Sequence, residues 1–298
     1  MTDTKKIRPI IFGEVLFDRF PDGTAVLGGA PFNVAWNLQA LGLSPLLISR
    51  IGEDDLGRAI LAAMEDRGLD VAGIQTDLDR RTGTVEVTLQ EGEPDFDISA
   101  GRAYDFIASE ALPSFSRGGI LYHGSLALRT EPPRSALDRL RPRVAGPILM
   151  DVNLRDPWWS PELVKGWMGE AHWVKLNEDE LARLVPEEQD LERRAARLLG
   201  QGVVRALVVT RGAEGVYACG REGWTLEPKP TPAARVVDTV GAGDAFSSVV
   251  ILGLNRDWPT EVTLARAQAF AAGVVGLRGA TTTDREFYEK YRTDWENE

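Results

Sequence analysis

A single cysteine, two histidines and the lack of any long apolar run set the first limits on this chain of 298 residues. Cys219 has no partner for an intrachain disulfide, which indicates a reducing, intracellular compartment. His123 and His172 are far apart in the sequence and neither has a cysteine partner, so no zinc site is predicted. No stretch approaches the ~20 apolar residues of a membrane-spanning helix. These absences together predict a soluble, cytoplasmic protein.

Positive charge is also scarce. Lysine and arginine number 34 against 45 aspartates and glutamates, which gives a formal net charge of −11 at pH 7. Such a charge opposes binding to nucleic acid and to anionic membranes, so neither is expected as a partner. Any phosphate-bearing ligand must therefore be held by a locally positive pocket. Hydrophobic residues make up 43% of the chain, an ordinary value for a globular protein with a large core.

Three common catalytic motifs are missing as well. The sequence contains no Gly-x-x-x-x-Gly-Lys-Ser/Thr loop, which excludes a P-loop kinase. No Gly-x-Gly-x-x-Gly fingerprint follows the first predicted strand, and Phe246 replaces the third glycine in the segment that begins at Gly241. A dinucleotide-dependent dehydrogenase is therefore disfavoured. The lack of a Gly-x-Ser-x-Gly element argues against a serine hydrolase.

The most informative segment that is present is Gly241-Ala242-Gly243-Asp244, which precedes an apolar run of helical type. Glycines let the backbone turn its N–H groups inward, and a helix N-terminus adds a positive dipole end. Such a cup can hold an anion, and the carboxylate of Asp244 beside it can accept a proton. An anion cradle with a base is what phosphoryl transfer to a hydroxyl requires. The alternatives are a plain strand-to-helix turn and an acidic residue that stabilises the helix start.

Short β-rich apolar runs alternate with longer helical patterns along the chain. This alternation predicts an α/β fold whose mainly parallel sheet is covered on both faces. Amphipathic helices are predicted around Val34–Leu41 and Ile60–Met64, and over Leu191–Leu199 and Thr260–Leu277. The predicted strands are Ile10–Phe12, Leu46–Ser49, Ile120–Tyr122, Ile148–Asp151, Trp173–Leu176 and Ala206–Thr210.

One region departs from that alternation. Residues 84–89 alternate strictly between apolar and polar, a turn is predicted at 91–94, and the alternation resumes over 95–98. This pattern indicates a β-hairpin with one dry face and one wet face. Residues 15–26, with a turn at 21–23, supply a second component of the same small sheet. A sheet of this size needs partners to be stable.

Taken in order, five segments resemble the signatures of the ribokinase-like (PfkB) carbohydrate kinases, and the opening Gly13-Glu14-Val15-Leu16-Phe17-Asp18 is similar to fructokinase-type members. The resemblance extends from about Ile10 to about Thr283. A lone Gly-x-Gly would be weak evidence, whereas an ordered set is specific. The five segments are Gly28–Ala35, Asp151–Arg155, Asn177–Glu180, Val208–Gly215 and Asp238–Phe246.

The resemblance implies a single ribokinase-like domain over residues 1–298, a three-layer α/β sandwich with a small β-sheet lid. The lid would be built from about residues 15–27 and 84–104. It further implies that Asp244 is the catalytic base and that the main chain of Gly241, Ala242 and Gly243 forms the anion hole. ATP and Mg²⁺ are the implied cofactors, a monovalent cation is a further candidate, and lid-to-lid contact implies a homodimer.

Five residues are candidates for binding the sugar. A carboxylate at Asp18 can accept two hydroxyls, Gly28 and Gly29 allow close backbone approach, and Asn33 offers both a donor and an acceptor. Arg155 follows a predicted strand, where its guanidinium can fork onto oxygen atoms. Their alternatives are a solvated loop acid for Asp18, an early-helix polar residue for Asn33 and a surface ion pair for Arg155.

The remaining candidates belong to the nucleotide. The resemblance implies that Asn177 and Glu180 order Mg²⁺ and its waters, and this sparse set is chemically adequate because Mg²⁺ keeps several waters. The resemblance also implies that Thr210, Gly212, Gly215 and Asp238 lie near the nucleotide. Helix capping would equally explain Asn177, and a tight β-turn would explain the residues at 210–215.

The sequence therefore predicts an ATP-dependent kinase that phosphorylates a hydroxyl of a ketose, with fructose favoured. A kinase of the same family for 2-keto-3-deoxygluconate, ribose or a nucleoside is the first alternative, since Arg155 could also receive a sugar-acid carboxylate. Arg102 and Tyr104 could assist there. The second alternative is a sugar sensor without turnover. The presence of Asp244 argues against a sensor, which has no need of a base.

Overall fold

The computed structural model describes residues 8–90, 93–115 and 119–297. Two sheets and the helices around them account for most of these residues. The strands are β1 (Ile10–Phe12), β2 (Leu16–Arg19), β3 (Ala25–Gly28), β4 (Leu46–Gly52), β5 (Ile74–Asp77), β6 (Gly83–Gln90), β7 (Glu93–Ile98), β8 (Leu121–His123), β9 (Ile148–Asp151), β10 (Trp173–Asn177), β11 (Ala206–Thr210), β12 (Val216–Gly220) and β13 (Thr225–Leu226). The helices are α1 (Ala30–Ala40), α2 (Asp55–Arg67), α3 (Glu131–Leu140), α4 (Pro161–Met168), α5 (Glu178–Leu184), α6 (Leu191–Leu199), α7 (Ala242–Asn255), α8 (Thr260–Val274) and α9 (Arg285–Asn297).

The large sheet has the strand order β13-β12-β11-β10-β9-β8-β1-β4-β5. Its strands from β11 to β5 run parallel, and β12 and β13 are added antiparallel at one edge. The interior strands are short and apolar on both faces, as expected for a parallel sheet covered by helices. In β1, for example, Ile11 packs on one face while Ile10 and Phe12 pack on the other, and all three are buried.

Helices cover the two faces in separate groups. Helices α1, α2, α7, α8 and α9 pack with the core on one face, and α3, α4, α5 and α6 pack on the opposite face. This arrangement is a three-layer α/β sandwich, so the predicted fold class is confirmed. Among the helices described, none is both long and apolar enough to cross a membrane.

The predicted elements agree closely with the observed ones. Strands β1, β9 and β11 and helix α6 have the predicted bounds, whereas β8 begins and ends one residue later than predicted. Helix α8 ends at Val274 rather than at Leu277. The C-terminal segment, for which no element was predicted, forms α9, whose aromatic residues pack around Phe270 of α8.

The small sheet has the strand order β3-β2-β6-β7 and is built from the segments for which a lid was predicted; it is called the lid below. Strands β2 and β3 form one antiparallel pair, β6 and β7 form another, and β2 joins β6 in parallel. The predicted turn at 91–94 falls partly outside the described residues. The strands end at Ile98, so the predicted lid limit of 104 includes a segment that leaves the sheet. Within it, Tyr104 is buried beneath the lid with Leu16 and Val85.

A buried ion pair fixes the base of the lid to the rest of the molecule. Asp105 accepts from Arg129 Nε at 2.7 Å and from Nη2 at 2.8 Å, and both side chains are almost fully buried. The same Nη2 group also reaches Tyr104 Oη at 3.0 Å and the Ser99 carbonyl at 2.7 Å. Because a buried charge pair is tolerated only when its hydrogen bonds are nearly complete, this geometry holds the segment that follows β7 in one place.

Candidate active site

The candidate site lies where the parallel strands of the large sheet end. The carboxyl ends of parallel strands meet at one edge, where open α/β sheets usually bind ligands. Asn177 and Thr210, both predicted to contact nucleotide, are register partners at the ends of β10 and β11. Asp151 ends β9 and is the register partner of Lys175 in β10.

Helix α7 begins against this edge, and its first residues have the geometry of an anion cup. Gly241 has a left-handed φ of 79°, and a Cβ atom there would lie 2.2 Å from the Cβ of Ala280, so only glycine fits. The first intrahelical hydrogen bond runs from the amide of Ala245 to the carbonyl of Gly241 at 2.8 Å. The amides of Gly243 and Asp244 therefore precede the helical ladder and can donate to a ligand. The Ala242 amide, which was also predicted for the anion hole, already donates to the Thr239 carbonyl at 3.3 Å.

Asp244 is partly buried in the first turn of α7. Its Oδ2 accepts a hydrogen bond from Asn33 Nδ2 at 2.7 Å, which joins the starts of α7 and α1. Burial is the main cause of a raised Asp244 pKa of about 6; the nearby charge of Asp151 acts in the same direction, and the Asn33 hydrogen bond, Lys175 and Arg155 oppose it. A carboxylate with this pKa is ionised at neutral pH and is a better base than an exposed aspartate.

The predicted sugar-binding residues surround this carboxylate. Asp18 lies on lid strand β2, and burial raises its pKa to about 6 while Arg155 lowers it. Gly28 is its neighbour on β3, where an added Cβ atom would lie 3.2 Å from Asp18 Oδ2. Arg155 is exposed, and its charge acts on both Asp18 and Asp244. The structure thus brings Asp18, Gly28, Asn33, Arg155 and Asp244 to one place.

Glu14 is a site residue that the sequence analysis quoted only as part of a motif. It follows β1, is 2% exposed, and its Oε2 has no hydrogen-bond partner among the described residues. Burial is the main cause of its raised pKa of about 7; the charge of Asp244 acts in the same direction and Arg155 opposes it. Gly29, with φ of 101°, lies so close to the carbonyl of Glu14 that an added Cβ atom would be 2.8 Å from that oxygen.

A second group that the sequence analysis did not identify lies beneath the start of α7. Lys175 Nζ contacts both carboxylate oxygens of Asp151 at 3.0 Å, and Asp151 Oδ2 also accepts from Ser247 Oγ at 2.9 Å. All three side chains are buried. A Cβ atom on Gly243 would lie 2.8 Å from Lys175 Nζ, so the second glycine of the cup admits this ammonium group. A lysine in the middle of an apolar strand was the sequence signal for this group.

Asn177 and Glu180 form a capping box at the start of α5. The Glu180 amide donates to Asn177 Oδ1 at 2.8 Å, and the Asn177 amide donates to Glu180 Oε2 at 2.9 Å. Glu180 Oε1 accepts from the Leu154 amide at 2.7 Å. Each oxygen therefore already accepts one main-chain hydrogen bond, which fits a role in holding a metal-bound water better than direct ligation. The described residues contain no cluster of three or more His, Cys, Asp or Glu side chains suited to a metal ion.

The other nucleotide candidates lie on two turns. Gly212 and Gly215 both have positive φ, 54° and 95°, around the tight turn between β11 and β12. Asp238 accepts from the amide of Val240 at 3.0 Å through Oδ1 and from the amide of Gly279 at 3.0 Å through Oδ2. Asp238 thus joins the segment before α7 to the loop after α8, which gives this side chain a structural role.

An amide cup beside a buried base, at the ligand edge of an α/β sandwich, defines a phosphotransferase of the sugar-kinase class. Residues 4–286 match the model of the pfkB family carbohydrate kinases, and the chain belongs to that family. The predicted family, fold class and enzyme class are therefore confirmed.

Relatives of known name support the same class. The chain is 34% identical over 293 residues to a fructokinase of Klebsiella pneumoniae, covering 91% of this chain and 94% of that protein. It resembles the crystal structure of Vibrio cholerae O395 fructokinase with fructose, ADP and calcium ion, with a TM-score of 0.80, 28% identity, and coverage of 96% and 99%. It also resembles aminoimidazole riboside kinase from Salmonella enterica with aminoimidazole riboside and an ATP analogue, with a TM-score of 0.83, 26% identity, and the same coverage.

The charge environment of Asp244 generates a prediction that does not depend on turnover. Carbon-detected NMR of the side-chain carboxyl groups is expected to show Asp244 titrating near pH 6, well above an exposed aspartate. Asn33→Ala removes the hydrogen bond that favours the charged form, so the pKa of Asp244 should rise further. The pKa of Asp18, which does not contact Asn33, serves as the internal control. A downward shift of the Asp244 pKa in the variant would contradict this account of the site.

Proposed function

We propose that this protein transfers the γ-phosphate of ATP to a hydroxyl group of fructose and releases ADP. The observation that carries the proposal is the position of Asp244 in the first turn of α7, beside amides that precede the helical ladder. The names of the relatives support fructose: curated proteins at 30–34% identity over most of the chain include several fructokinases. The Vibrio cholerae fructokinase structure contains both fructose and ADP.

In this proposal the residues divide the reaction between them. Asp18, Asn33 and Arg155 hold the hydroxyl groups of the sugar, with Gly28 and Gly29 allowing close approach. The attacking hydroxyl gives its proton to Asp244. The transferring phosphoryl group is stabilised by the main-chain amides of Gly241, Gly243 and Asp244, which are already oriented and need no rearrangement, whereas the Ala242 amide already donates to the Thr239 carbonyl. Asp151 of the buried Lys175–Asp151 pair accepts a hydrogen bond from Ser247 of α7, and this contact holds the helix against the sheet.

The nucleotide would lie along the ends of β10 and β11, against Thr210 and the turn at 212–215. Bound with ATP, Mg²⁺ would neutralise phosphate charge. Asn177 and Glu180 would hold its waters, since each Glu180 oxygen keeps a lone pair beyond its main-chain hydrogen bond. Asp238 and the adjoining loop would lie beside the bound nucleotide, and any monovalent cation would bind there. We also propose that the protein acts in the cytoplasm.

A second candidate substrate is a nucleoside such as aminoimidazole riboside. The likeness to the Salmonella enterica kinase, at a TM-score of 0.83, favours it. A riboside shares with fructofuranose a five-membered ring with two adjacent hydroxyl groups, cis in ribose and trans in fructose, that Asp18 and Asn33 could bind. It differs by a base that must fit under the lid. A sugar sensor is disfavoured, because a buried base next to unpaired amides serves turnover rather than binding.

A coupled ADP-release assay decides between these substrates. We expect MgATP-dependent turnover with fructose. The kcat/KM for fructose should exceed by at least tenfold the kcat/KM for each of the other substrates: aminoimidazole riboside, ribose, tagatose and 2-keto-3-deoxygluconate. The same assay with fructose and no added Mg²⁺ tests the metal requirement. Preference for a riboside would replace fructose as the substrate. No turnover with any of them, while calorimetry still shows fructose binding, would support the sensor instead.

Replacing the base provides the sharpest mechanistic test. Asp244→Asn keeps an oxygen that can accept the Asn33 hydrogen bond but removes the proton acceptor. The turnover number should fall by about 10²–10⁴-fold, the usual range for a general base, with the KM for fructose nearly unchanged. Asp18→Ala is the contrasting variant: it should mainly raise the KM for fructose. Full turnover by Asp244→Asn would remove Asp244 from the chemistry.

We further propose that two copies associate through their lids. Phe20 and Val26 are each 39% exposed on the lid, although both are apolar. Val26 is the cross-strand partner of Asp18, so the two side chains share one face of the sheet. A partner lid on that face would cover apolar surface and close the sugar pocket.

Sedimentation velocity tests the dimer. Wild-type protein should sediment as a dimer, and Phe20→Asp combined with Val26→Lys should shift it to monomer and raise the KM for fructose. Leu78→Lys, a change at an exposed apolar residue outside the lid, is the control and should leave the dimer intact. A wild-type monomer at micromolar concentration, or a dimer unaffected by the lid changes, would refute the proposed interface.

A further inference from the structure

A cavity of about 230 Å³ lies outside the candidate active site, between the end of α1, the end of α2 and helix α9. Its wall carries three guanidinium groups and a single carboxylate. The residues that matter are Gln39, Arg67, Arg285, Tyr288, Glu289 and Arg292. In a chain with a net charge of −11, such a concentration of positive charge is unusual and calls for a physical explanation.

Arg67 is held in place at the inner wall of this cavity. Its guanidinium carbon lies 5.1 Å from the ring centre of Trp36 and 4.9 Å from that of Tyr288. These rings fix the plane of the group, while its buried Nε has no hydrogen-bond partner among the described residues. The Tyr288 hydroxyl is itself fixed by donating to Asn37 Oδ1 at 2.9 Å. Arg67 is therefore preorganised and keeps an unused donor.

The other two arginines bring more charge that is not neutralised. Arg285 and Arg292 are exposed residues of α9, and the side chain of Arg292 lies over Gly42, where an added Cβ would be 3.4 Å from its Nε. Within the described residues, none of the three arginines forms an ion pair with a carboxylate within 4.0 Å, Glu289 included. Burial and the charge of Arg285 both lower the pKa of Arg67. Three guanidinium groups thus share one cavity, and none of them has an ion pair with a described carboxylate.

We infer that this cavity is a binding site for a small phosphate-bearing anion, separate from the phosphate site at the start of α7. Planar guanidinium groups present paired donors that match the oxygens of a phosphate, and an anion would remove the repulsion among them. The two sites are distinct, because none of the residues 241–244 lines the cavity, and Gln39 lies about 9 Å further along α1 than Asn33, at roughly 1.5 Å per residue. The overall negative charge disfavours a large polyanion, so the ligand is a small soluble phosphate.

Calorimetric titration with inorganic phosphate tests the inference, with saturating ADP present to occupy the nucleotide site. Wild-type protein should bind one phosphate per chain under these conditions. Arg285→Gln combined with Arg292→Gln should weaken that binding at least tenfold, and circular dichroism should show that the fold is kept. The matched control is Arg139→Gln combined with Arg193→Gln, which changes the net charge equally at exposed arginines elsewhere and should leave phosphate binding unchanged.

A second measurement needs no variant. In wild-type protein with ADP, phosphate should shift the Nε–H NMR resonance of Arg67 along a saturating curve with the same dissociation constant. The inference is overturned if wild-type protein binds no phosphate beside ADP or if the Arg67 resonance does not move. It is also overturned if the cavity variant binds as wild type does, or if the control variant loses binding to the same extent.

Discussion

The buried ion pair between Lys175 and Asp151 is the constraint on which the site depends. It joins neighbouring strands β10 and β9, and through Ser247 it also joins α7 to both. A buried ammonium group can exist only where its charge is balanced, and the available space next to it is provided by the missing side chain of Gly243. The Ser247 hydrogen bond and the close approach of Lys175 to Gly243 therefore hold the start of α7 against the ends of β9 and β10, with Asp244 in the next position of the helix.

Around this fixed point the site collects more negative than positive charge. Glu14, Asp18 and Asp244 all have pKa values raised by burial, and Arg155 is the cation common to all three. Since their folded-state pKa values exceed the unfolded ones, these groups favour the folded state below about pH 4, and that contribution is lost as the pH rises through about 6 to 7. At neutral pH the burial of these ionised carboxylates therefore lowers the free energy of unfolding, and the same burial makes Asp244 a stronger base than an exposed aspartate.

Much of the fold could be predicted from the chain. Apolar runs such as Ile148–Asp151 and Ala206–Thr210 predicted strands with the observed bounds, because strands buried on both faces leave a continuous hydrophobic signal. The lid hairpin was visible in its alternation. The parallel pairing of β2 with β6 was not, since those strands are far apart in sequence and nothing local records their register. The packing of α9 on Phe270 of α8 could not be predicted either, because Phe270 belongs to another segment of the chain.

The candidate site divides in the same way. The sequence by itself determined which groups exist and their local geometry: a Gly-Ala-Gly turn, a carboxylate in the next residue, a capping pair at Asn177 and Glu180. Only the tertiary structure decided that Asn33 donates a hydrogen bond to Asp244, which is 211 residues away in the sequence. The same holds for the position of Lys175 beneath Gly243 and for the burial of Glu14 away from solvent. Turn and cap preferences depend on neighbouring residues, and so they can be read locally. Burial and pairing depend on atoms that other segments supply, and these set the protonation of each acid.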